Sequence, residues 1–184
     1  MSRNRRLGYA RTSTGGTDLL IVGAVAAVGG VLLYGGNEVV GAISGTKFVV
    51  GNSGPFLVKK VNSAPSVPQQ YMKAAAADAF NEMQDAAYAA GILIFAGSAF
   101  RSVAEQAVLY SLYLARMKAP PVTAPPGQSN HGSGIAVDIY GSDGHALRYN
   151  TPEFSWMQGA GSYYNFSWAE GSKVDEPWHW DYVG

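Results

Sequence analysis

The segment SNHGSGIAVDIY, residues 129–140, is the most informative part of the sequence for the fold. It places His131 in a glycine-rich turn, and Asp138 follows seven residues later inside an apolar run. Alternate side chains of a strand share a face, so Asp138 lies beside the small Ala136 while its apolar neighbours pack on the opposite face. A buried aspartate without a partner is costly, and a cation held jointly with His131 would supply that partner. The stretch therefore predicts a strand that carries half of a metal site.

A second polar segment, EPWHWDYV at residues 176–183, stands near the end of the sequence. Its alternation of aromatic and polar residues is typical of a strand, which would carry His179. Two histidines and one carboxylate form a common catalytic zinc set with a fourth position for water, and Glu176 would accept a proton from that water. Histidine–aspartate pairs at such spacing are often accidental. The spacing alone therefore leaves two interpretations open, a metal site or two unusual core segments.

The composition restricts both the metal ligands and the partners. Of the 184 residues, 47% are hydrophobic and 14% are charged, so the chain can bury a core. Cysteine is absent, which excludes disulfides and thiolate zinc sites and leaves any metal to His, Asp and Glu. Residues 1–63 hold seven basic and two acidic side chains, whereas residues 64–184 hold six basic and eleven acidic ones. No nucleic-acid partner is therefore expected for the larger part of the chain.

Periodicity and capping signals predict the elements around the two polar strands. They are a helix over 68–90, a strand over 92–97, a helix over 102–117 and a short helix over 151–159. Ser102 and Glu105 have the spacing of a capping box at the start of the second helix. We therefore expect an α+β domain over residues 68–184, with a small antiparallel sheet and flanking helices.

The N-terminal part predicts a membrane anchor. Residues 19–36, LLIVGAVAAVGGVLLYGG, form an uncharged run of 18 residues, and four arginines precede it. A spanning helix needs about 20 apolar residues, and arginines mark the cytoplasmic side. The sequence thus predicts a basic cytoplasmic or interior segment over 1–18, a transmembrane anchor over 19–43 and a single-pass protein with its catalytic domain outside. Its lipid contact would be made through residues 19–36.

Two alternatives to this anchor are a cleaved secretory signal and a buried soluble helix. Five glycines weaken a helix in water but are tolerated in membrane spans, where small residues permit helix–helix self-association. Residues 44–67 are rich in Gly, Ser and Pro and predict a linker that includes a short strand, KFVV or FLVKKV.

Three blocks of the sequence resemble a known enzyme family. SNHGSGIAVD matches S-x-H-x-x-G-x-A-x-D, the signature of zinc D-alanyl-D-alanine carboxypeptidases and L-alanyl-D-glutamate endopeptidases. EPWHWDYVG is similar to that family's closing E-x-W-H motif, and AGSAFRSVAEQAVLY resembles its S-G-Y-R-S block with a following Gln. The blocks appear in the family's order, so residues 68–184 resemble a VanY-like peptidase of the group named for lysostaphin, D-Ala-D-Ala carboxypeptidases and sonic hedgehog.

The resemblance implies a role for each matching residue. His131, Asp138 and His179 would hold Zn²⁺, and Glu176 would be the catalytic base. The residues implied to contact substrate are Arg101, which would also stabilise the oxyanion, together with Ser129, Gln106 and Trp178. For Gln106 a purely structural hydrogen bond is the main alternative. Asp143 and Asp181 are expected to be solvated or capping residues, and His145 an exposed loop residue.

The implied substrate is the stem peptide of bacterial peptidoglycan, cut by a D,D-carboxypeptidase or an endopeptidase. A bacterial membrane enzyme and a phage enzyme of lysis or of the virion both suit such a chain. Hedgehog proteins use the same fold for binding, so a non-catalytic zinc-containing module is a second hypothesis. A structural membrane protein with a vestigial domain is a third. The presence of Glu176 favours the enzyme, because a binding module needs no base at that position.

Overall fold

The computed structural model describes residues 33–35, 38–43, 46–117 and 122–184, and this part of the chain has an α+β fold with two antiparallel sheets. The first sheet has the order β1-β2-β3-β4-β5, with β1 Leu33–Gly35, β2 Glu38–Ile43, β3 Thr46–Gly51, β4 Gly54–Lys60 and β5 Tyr71–Lys73. The second has the order β6-β7-β9-β8, with β6 Phe95–Ser98, β7 Ala136–Tyr140, β8 Phe166–Ser167 and β9 His179–Tyr182. The helices are α1 Ala74–Ala89, α2 Val103–Ala115, α3 Pro152–Ala160 and α4 Ala169–Val174, with 3₁₀ turns at Asn130–Ser133 and Gly161–Tyr164.

Helix α1 forms the centre of the core. Its side chains at three- and four-residue steps, including Phe80 and Met83, are fully buried against the second sheet. Phe80 meets Phe166 of β8 edge to face, with 5.8 Å between ring centroids. From β7, Val137 and Ile139 point into the same core, which turns Asp138 to the other face of the strand as the alternation predicts.

The helix predicted over 68–90 begins later than expected, at Ala74. Residues 71–73 pair instead with β4, where Lys73 lies opposite Val58. The carbonyl of Tyr71 also accepts a hydrogen bond from the Phe100 backbone N–H at 2.8 Å. These tertiary hydrogen bonds outweigh the local helix preference of the segment.

The remaining predicted elements are present with small shifts, and two short ones were missed. The capping box of α2 is complete, because Glu105 donates its N–H to Ser102 Oγ at 3.2 Å and accepts from the Ser102 N–H at 2.7 Å. Helix α3 follows a Thr151 cap. The two missed elements are α4 and β8, which are six and two residues long and too short for a periodic signal.

The transmembrane anchor predicted over 19–43 is wrong in the part that the structure describes. Leu33–Gly35 and Glu38–Ile43 are paired strands of the first sheet, and residues 19–32 lie outside the described residues. Within the described ranges, no helix has both the length and the apolar character needed to cross a bilayer. The predicted single-pass localisation is therefore wrong. The predicted lipid contact through 19–36 and the helix pairing have no spanning helix to support them in the described residues.

The stretch predicted as a linker over 44–67 contains a hairpin. Strands β3 and β4 pair in continuous register from Thr46↔Lys59 to Gly51↔Gly54. The tight turn between them, at Asn52 and Ser53, reaches the glycine-rich turn of the second sheet, where the Asn52 N–H donates to the Gly132 carbonyl at 2.9 Å. The two strands mentioned as options for the linker are thus both formed, and they join the first sheet to the candidate site.

Candidate metal centre

The three predicted metal ligands lie together. His131, Asp138 and His179 each offer one ligand atom, and these atoms all lie within 4.8 Å of one another. Asp138 on β7 and His179 on β9 are direct partners in the antiparallel ladder. His131 comes from the 3₁₀ turn that precedes β7. The second sheet and its leading turn therefore bring two imidazoles and one carboxylate to the same point.

The backbone fixes the tautomer of His131. Its Nδ1 lies 2.7 Å from the carbonyl oxygen of Ala99, which can only accept, so Nδ1 carries the proton. The lone pair is then on Nε2, which lies 3.4 Å from Asp138 Oδ1. Because His131 is buried, with 4% of the residue's surface exposed, this orientation leaves Nε2 as the ligand atom that faces the cluster.

The second histidine is oriented by carboxylates. His179 Nδ1 lies 3.2 Å from Asp138 Oδ1, and its Nε2 lies 3.5 Å from Asp181 Oδ1. Burial disfavours the imidazolium, but the hydrogen bonds and charges of the two acids outweigh burial and raise the pKa of His179 to about 10. Burial likewise disfavours the Asp138 carboxylate, yet the two histidines hold the pKa of Asp138 below its usual range.

This donor set fits Zn²⁺. Two imidazole nitrogens and one carboxylate oxygen make the three-ligand arrangement of catalytic zinc sites, in which a fourth position is left for water or substrate. Each histidine has its other ring nitrogen next to an oxygen acceptor, Ala99 O for His131 and Asp181 Oδ1 for His179. Such outer partners orient metal-binding imidazoles in proteins.

Glu176 and Arg101 lie on the same cleft as the cluster. The backbone N–H of Glu176 donates to Gly171 O at 2.8 Å, which holds the residue in the turn between α4 and β9. Its side chain is half-buried, and burial followed by the charge of Asp138 raises the pKa of Glu176. Arg101 donates to Gln106 Oε1 at 2.8 Å and to Ser98 Oγ at 2.9 Å, and its Nη2 lies 4.0 Å from Asp138 Oδ2.

The cleft has a volume of about 590 Å³, and the other predicted substrate contacts, Ser129, Gln106 and Trp178, also line it. Gln106 is 3% exposed and connects Arg101 to the loop before the 3₁₀ turn, because its Nε2 donates to Ala124 O at 2.7 Å. The contacts of Gln106 thus match the structural alternative considered for it. Ser129 is buried at the start of the 3₁₀ turn, where its carbonyl accepts from the Gly132 N–H.

Asp181 was expected to be solvated or capping, and this prediction is wrong. Its side chain is buried beside His179, and Asn130 Nδ2 donates to Asp181 Oδ1 at 3.1 Å. The sequence did hold a signal for this position, because residues two apart in a strand share a face, and Asp181 follows His179 by two. His145, by contrast, is exposed as expected, on the loop after β7.

Comparisons with known proteins identify the family of the segment that carries this cluster. The D-alanyl-D-alanine carboxypeptidase family named VanY matches residues 69–184. The putative carboxypeptidase YodJ of Bacillus subtilis (strain 168) is 33% identical over 132 residues, which covers 64% of this chain and 48% of YodJ. The chain therefore spans about half the length of that curated relative.

Solved structures share the fold. The LdcB LD-carboxypeptidase, described for its peptidoglycan recognition, has a TM-score of 0.58 at 29% identity over 77% of this chain and 69% of its own. VanYB in complex with D-alanine-D-alanine has a TM-score of 0.54 at 22% identity over 69% and 78%. A VanY D,D-pentapeptidase variant in complex with Zn(II) has a TM-score of 0.53 at 22% identity over 69% and 79%.

The three-block resemblance in the sequence is thus confirmed at the level of the family. The matched residues make up more than half of the chain and include every predicted ligand as well as Glu176 and Arg101. This protein belongs to the VanY family of D-alanyl-D-alanine carboxypeptidases.

Proposed function

We propose that this protein is a zinc-dependent peptidase that hydrolyses an amide bond in the stem peptide of peptidoglycan, as a D,D-carboxypeptidase or an endopeptidase. The observation that carries the proposal is the convergence of His131, Asp138 and His179 on a cleft that also holds Glu176 and Arg101. The ligands and subjects of the similar structures, D-alanine-D-alanine and peptidoglycan recognition, support the choice of substrate class.

In this proposal the three ligands hold Zn²⁺, which supplies a water of lowered pKa and a Lewis acid for the scissile carbonyl. Glu176 accepts the proton of the attacking water and then passes it to the nitrogen of the leaving amine. The raised pKa of Glu176 suits this role, because a carboxyl group with a pKa closer to neutrality both accepts and returns a proton readily. The turn between α4 and β9 places this carboxyl at the wall of the cleft.

Arg101 contributes positive charge where the carbonyl oxygen becomes negative. Its guanidinium is fixed by Ser98 and Gln106, so its position does not have to be organised during the reaction. A preorganised donor of this kind is worth about 2.7–4 kcal/mol of transition-state stabilisation. The wall residues Ser129 and Trp178 complete the surface on which the peptide binds.

The test is mass spectrometry of purified peptidoglycan and of synthetic stem peptides after incubation with the full chain and zinc. Release of terminal D-alanine identifies a carboxypeptidase, and an internal cut identifies an endopeptidase. The Glu176→Gln variant is expected to keep its zinc and to lose a factor of about 10²–10⁴ in rate, the usual contribution of a general base. Glu82→Gln is the matched control, because Glu82 is an exposed glutamate of α1 away from the cleft.

If Glu176→Gln keeps full activity, Glu176 is not the general base. If the zinc-loaded protein yields no product from either substrate, the enzyme hypothesis fails and the zinc-containing binding module becomes the favoured hypothesis.

A further inference from the structure

The 3₁₀ turn that carries His131 is held from the first sheet as well as from the second. On the side of β6, the Arg101 N–H donates to the His131 carbonyl at 3.2 Å, and Ala99 O accepts from His131 Nδ1. On the side of the first sheet, Asn52 makes two close contacts. Its backbone N–H donates to Gly132 O at 2.9 Å, and its Nδ2 donates to Ser129 O at 2.7 Å.

The contact between the β3–β4 turn and the His131 turn leaves no space for additional atoms. A Cβ added to Gly51 would lie 2.1 Å from Gly132 O, and a Cβ added to Gly132 would lie 2.3 Å from Asn52 Oδ1. Both distances are far below van der Waals contact. Gly51 is required because its Cβ would meet a backbone carbonyl, and a side chain at Gly132 would displace the Asn52 amide from its position. The two turns therefore pack closely through the backbone at Gly51 and through the Asn52 side chain at Gly132.

Two further contacts extend this interface along the first sheet. The Lys73 N–H at the end of β5 donates to Gly134 O at 2.8 Å. Phe56 of β4 meets Phe100 edge to face, with 5.6 Å between ring centroids. Phe100 directly precedes Arg101 and follows Ala99, the residue that orients the His131 imidazole. The first sheet thus supports both segments that surround His131.

We infer that Asn52 is a positioning residue of the metal centre, which holds the His131 turn in the geometry that aims Nε2 at Asp138 and His179. Residues 46–60 lie before the segment that matches the family, so a part of the chain outside 69–184 completes the site. The inference rests on the metal assignment in the proposed function, but it concerns zinc affinity rather than turnover.

The shorter contact of the Asn52 amide is with Ser129 O, and a longer one of 3.5 Å joins its Nδ2 to Ser133 Oγ at the end of the same turn. Ser129 O accepts from Asn52 Nδ2 and also from the Gly132 N–H, the hydrogen bond that closes the turn around His131. Loss of the Asn52 amide leaves this carbonyl with one donor and frees the start of the turn. The imidazole of His131 then has a wider range of positions relative to Asp138, and a metal site loses affinity when a ligand is less well oriented.

The experiment compares the zinc dissociation constants of full-length variants, measured by competition with a chromogenic chelator. Asn52→Asp keeps the shape of the side chain and the backbone hydrogen bond but loses the Nδ2 donor. Asn52→Ala removes the side chain while leaving the backbone hydrogen bond. Asn81→Ala is the matched control, because Asn81 Nδ2 also donates to a backbone carbonyl of the first sheet, Lys60 O at 3.3 Å, far from the metal turn.

We expect both Asn52 variants to bind zinc about tenfold or more weakly than the unchanged chain, as partners that orient metal ligands generally do. Asn81→Ala should keep the zinc affinity of the unchanged chain. The Co²⁺-substituted Asn52 variants should show altered visible absorption bands, which report ligand geometry and which a uniform loss of stability would not move.

Equal zinc affinity and equal cobalt spectra for folded Asn52→Asp and the unchanged chain would overturn the inference. If Asn52→Asp does not fold, the same comparison is made with Asn52→Ala, and an unchanged zinc affinity there has the same meaning. Failure of the unchanged chain to bind zinc would instead refute the proposed function, so the two failures are distinguishable.

Discussion

His131 and His179 have the same role in the proposed metal centre, but they are held in different ways. His179 lies in β9, where the ladder register places it opposite Asp138, and carboxylates face both of its ring nitrogens. His131 lies in a four-residue 3₁₀ turn, which is held by Ala99 and Arg101 just after β6 and by Asn52 of the β3–β4 turn. His179 is thus positioned by a strand and by two carboxylates. His131 meets one carboxylate, Asp138, and its turn is otherwise held by neutral hydrogen bonds.

Because the two histidines are held differently, different substitutions should disturb each of them. A strand position is set by several ladder hydrogen bonds, so we expect a single substitution to displace His179 little, but the protonation of its ring depends on its acidic neighbours. A turn has few hydrogen bonds of its own, so His131 depends on contacts from distant segments. Changes of charge should therefore act on the His179 side, and changes of backbone contact on the His131 side.

The largest effect should follow from removing either ring. His131→Ala and His179→Ala each leave two donors, and both variants should lose stoichiometric zinc after dialysis, as measured by elemental mass spectrometry. His145→Ala is the matched control, because it removes the third and exposed histidine. Full zinc occupancy in either ligand variant would end the comparison, since that histidine would not be a ligand.

The next effect concerns the carboxylate behind His179. In Asp181→Asn the amide can donate to Nε2, which favours the tautomer with its proton on Nδ1, the nitrogen that faces the metal cluster. We expect the zinc dissociation constant to rise by about 10–100-fold. Asp143→Asn serves as control, because Asp143 is exposed and pairs with Arg148 away from the site. An unchanged constant for Asp181→Asn would mean that the strand alone orients His179.

The carboxylates of Asp138 and Asp181, which flank His179, also predict that zinc affinity depends on pH. Because the pKa of His179 is raised to about 10 in the metal-free protein, the ring is protonated at neutral pH and must release that proton to bind zinc. Zinc affinity should therefore rise with pH between 6 and 8, by about tenfold per unit for one displaced proton. Chelator competition at several pH values measures the slope, and a flat profile would show that His179 binds no proton in the free site.

The smallest effect is expected for the cap of α3, which lies outside the metal centre. Thr151→Ala removes the cap of α3, whose Oγ1 accepts from the Phe154 N–H at 3.2 Å, and should cost about 1 kcal/mol in the free energy of unfolding. Zinc affinity should not change, because α3 contributes no ligand and no contact to either histidine described above. Urea unfolding of the zinc-free protein gives the stability, and Thr151→Ser should restore it. If Thr151→Ala lowers zinc affinity as well as stability, zinc affinity depends on the stability of the whole domain.

The same contrast explains what could be predicted from the sequence. The ligand on the strand and its partner Asp138 follow from alternation and from the family motif, which are local patterns. Asn52 carries no such signal, because it meets Ser129 at a separation of 77 residues. The glycines and prolines of residues 44–67 are typical of a linker, yet here glycine serves the close approach of two turns.

The predicted anchor was wrong for a related reason. The hydropathy of residues 33–43 is compatible with an apolar helix and with apolar strands. Which of the two forms is determined by the pairing of β2 with β3. The start of α1 was misplaced in the same way, because Tyr71–Lys73 pairs with β4. In each case long-range hydrogen bonds decided a segment whose local sequence allowed both structures.

The contact of Asn52 with the His131 turn also constrains the order of folding. Helices α1 and α2 need only nearby residues, whereas the metal centre requires closure of chain segments across 77 residues at Asn52–Ser129 and 41 at Asp138–His179. Closing long chain segments lowers the entropy of the chain, and the local contacts that form early do not offset this cost. We therefore expect the metal centre to form last, so that metal is captured by a nearly complete domain and does not act as its folding nucleus.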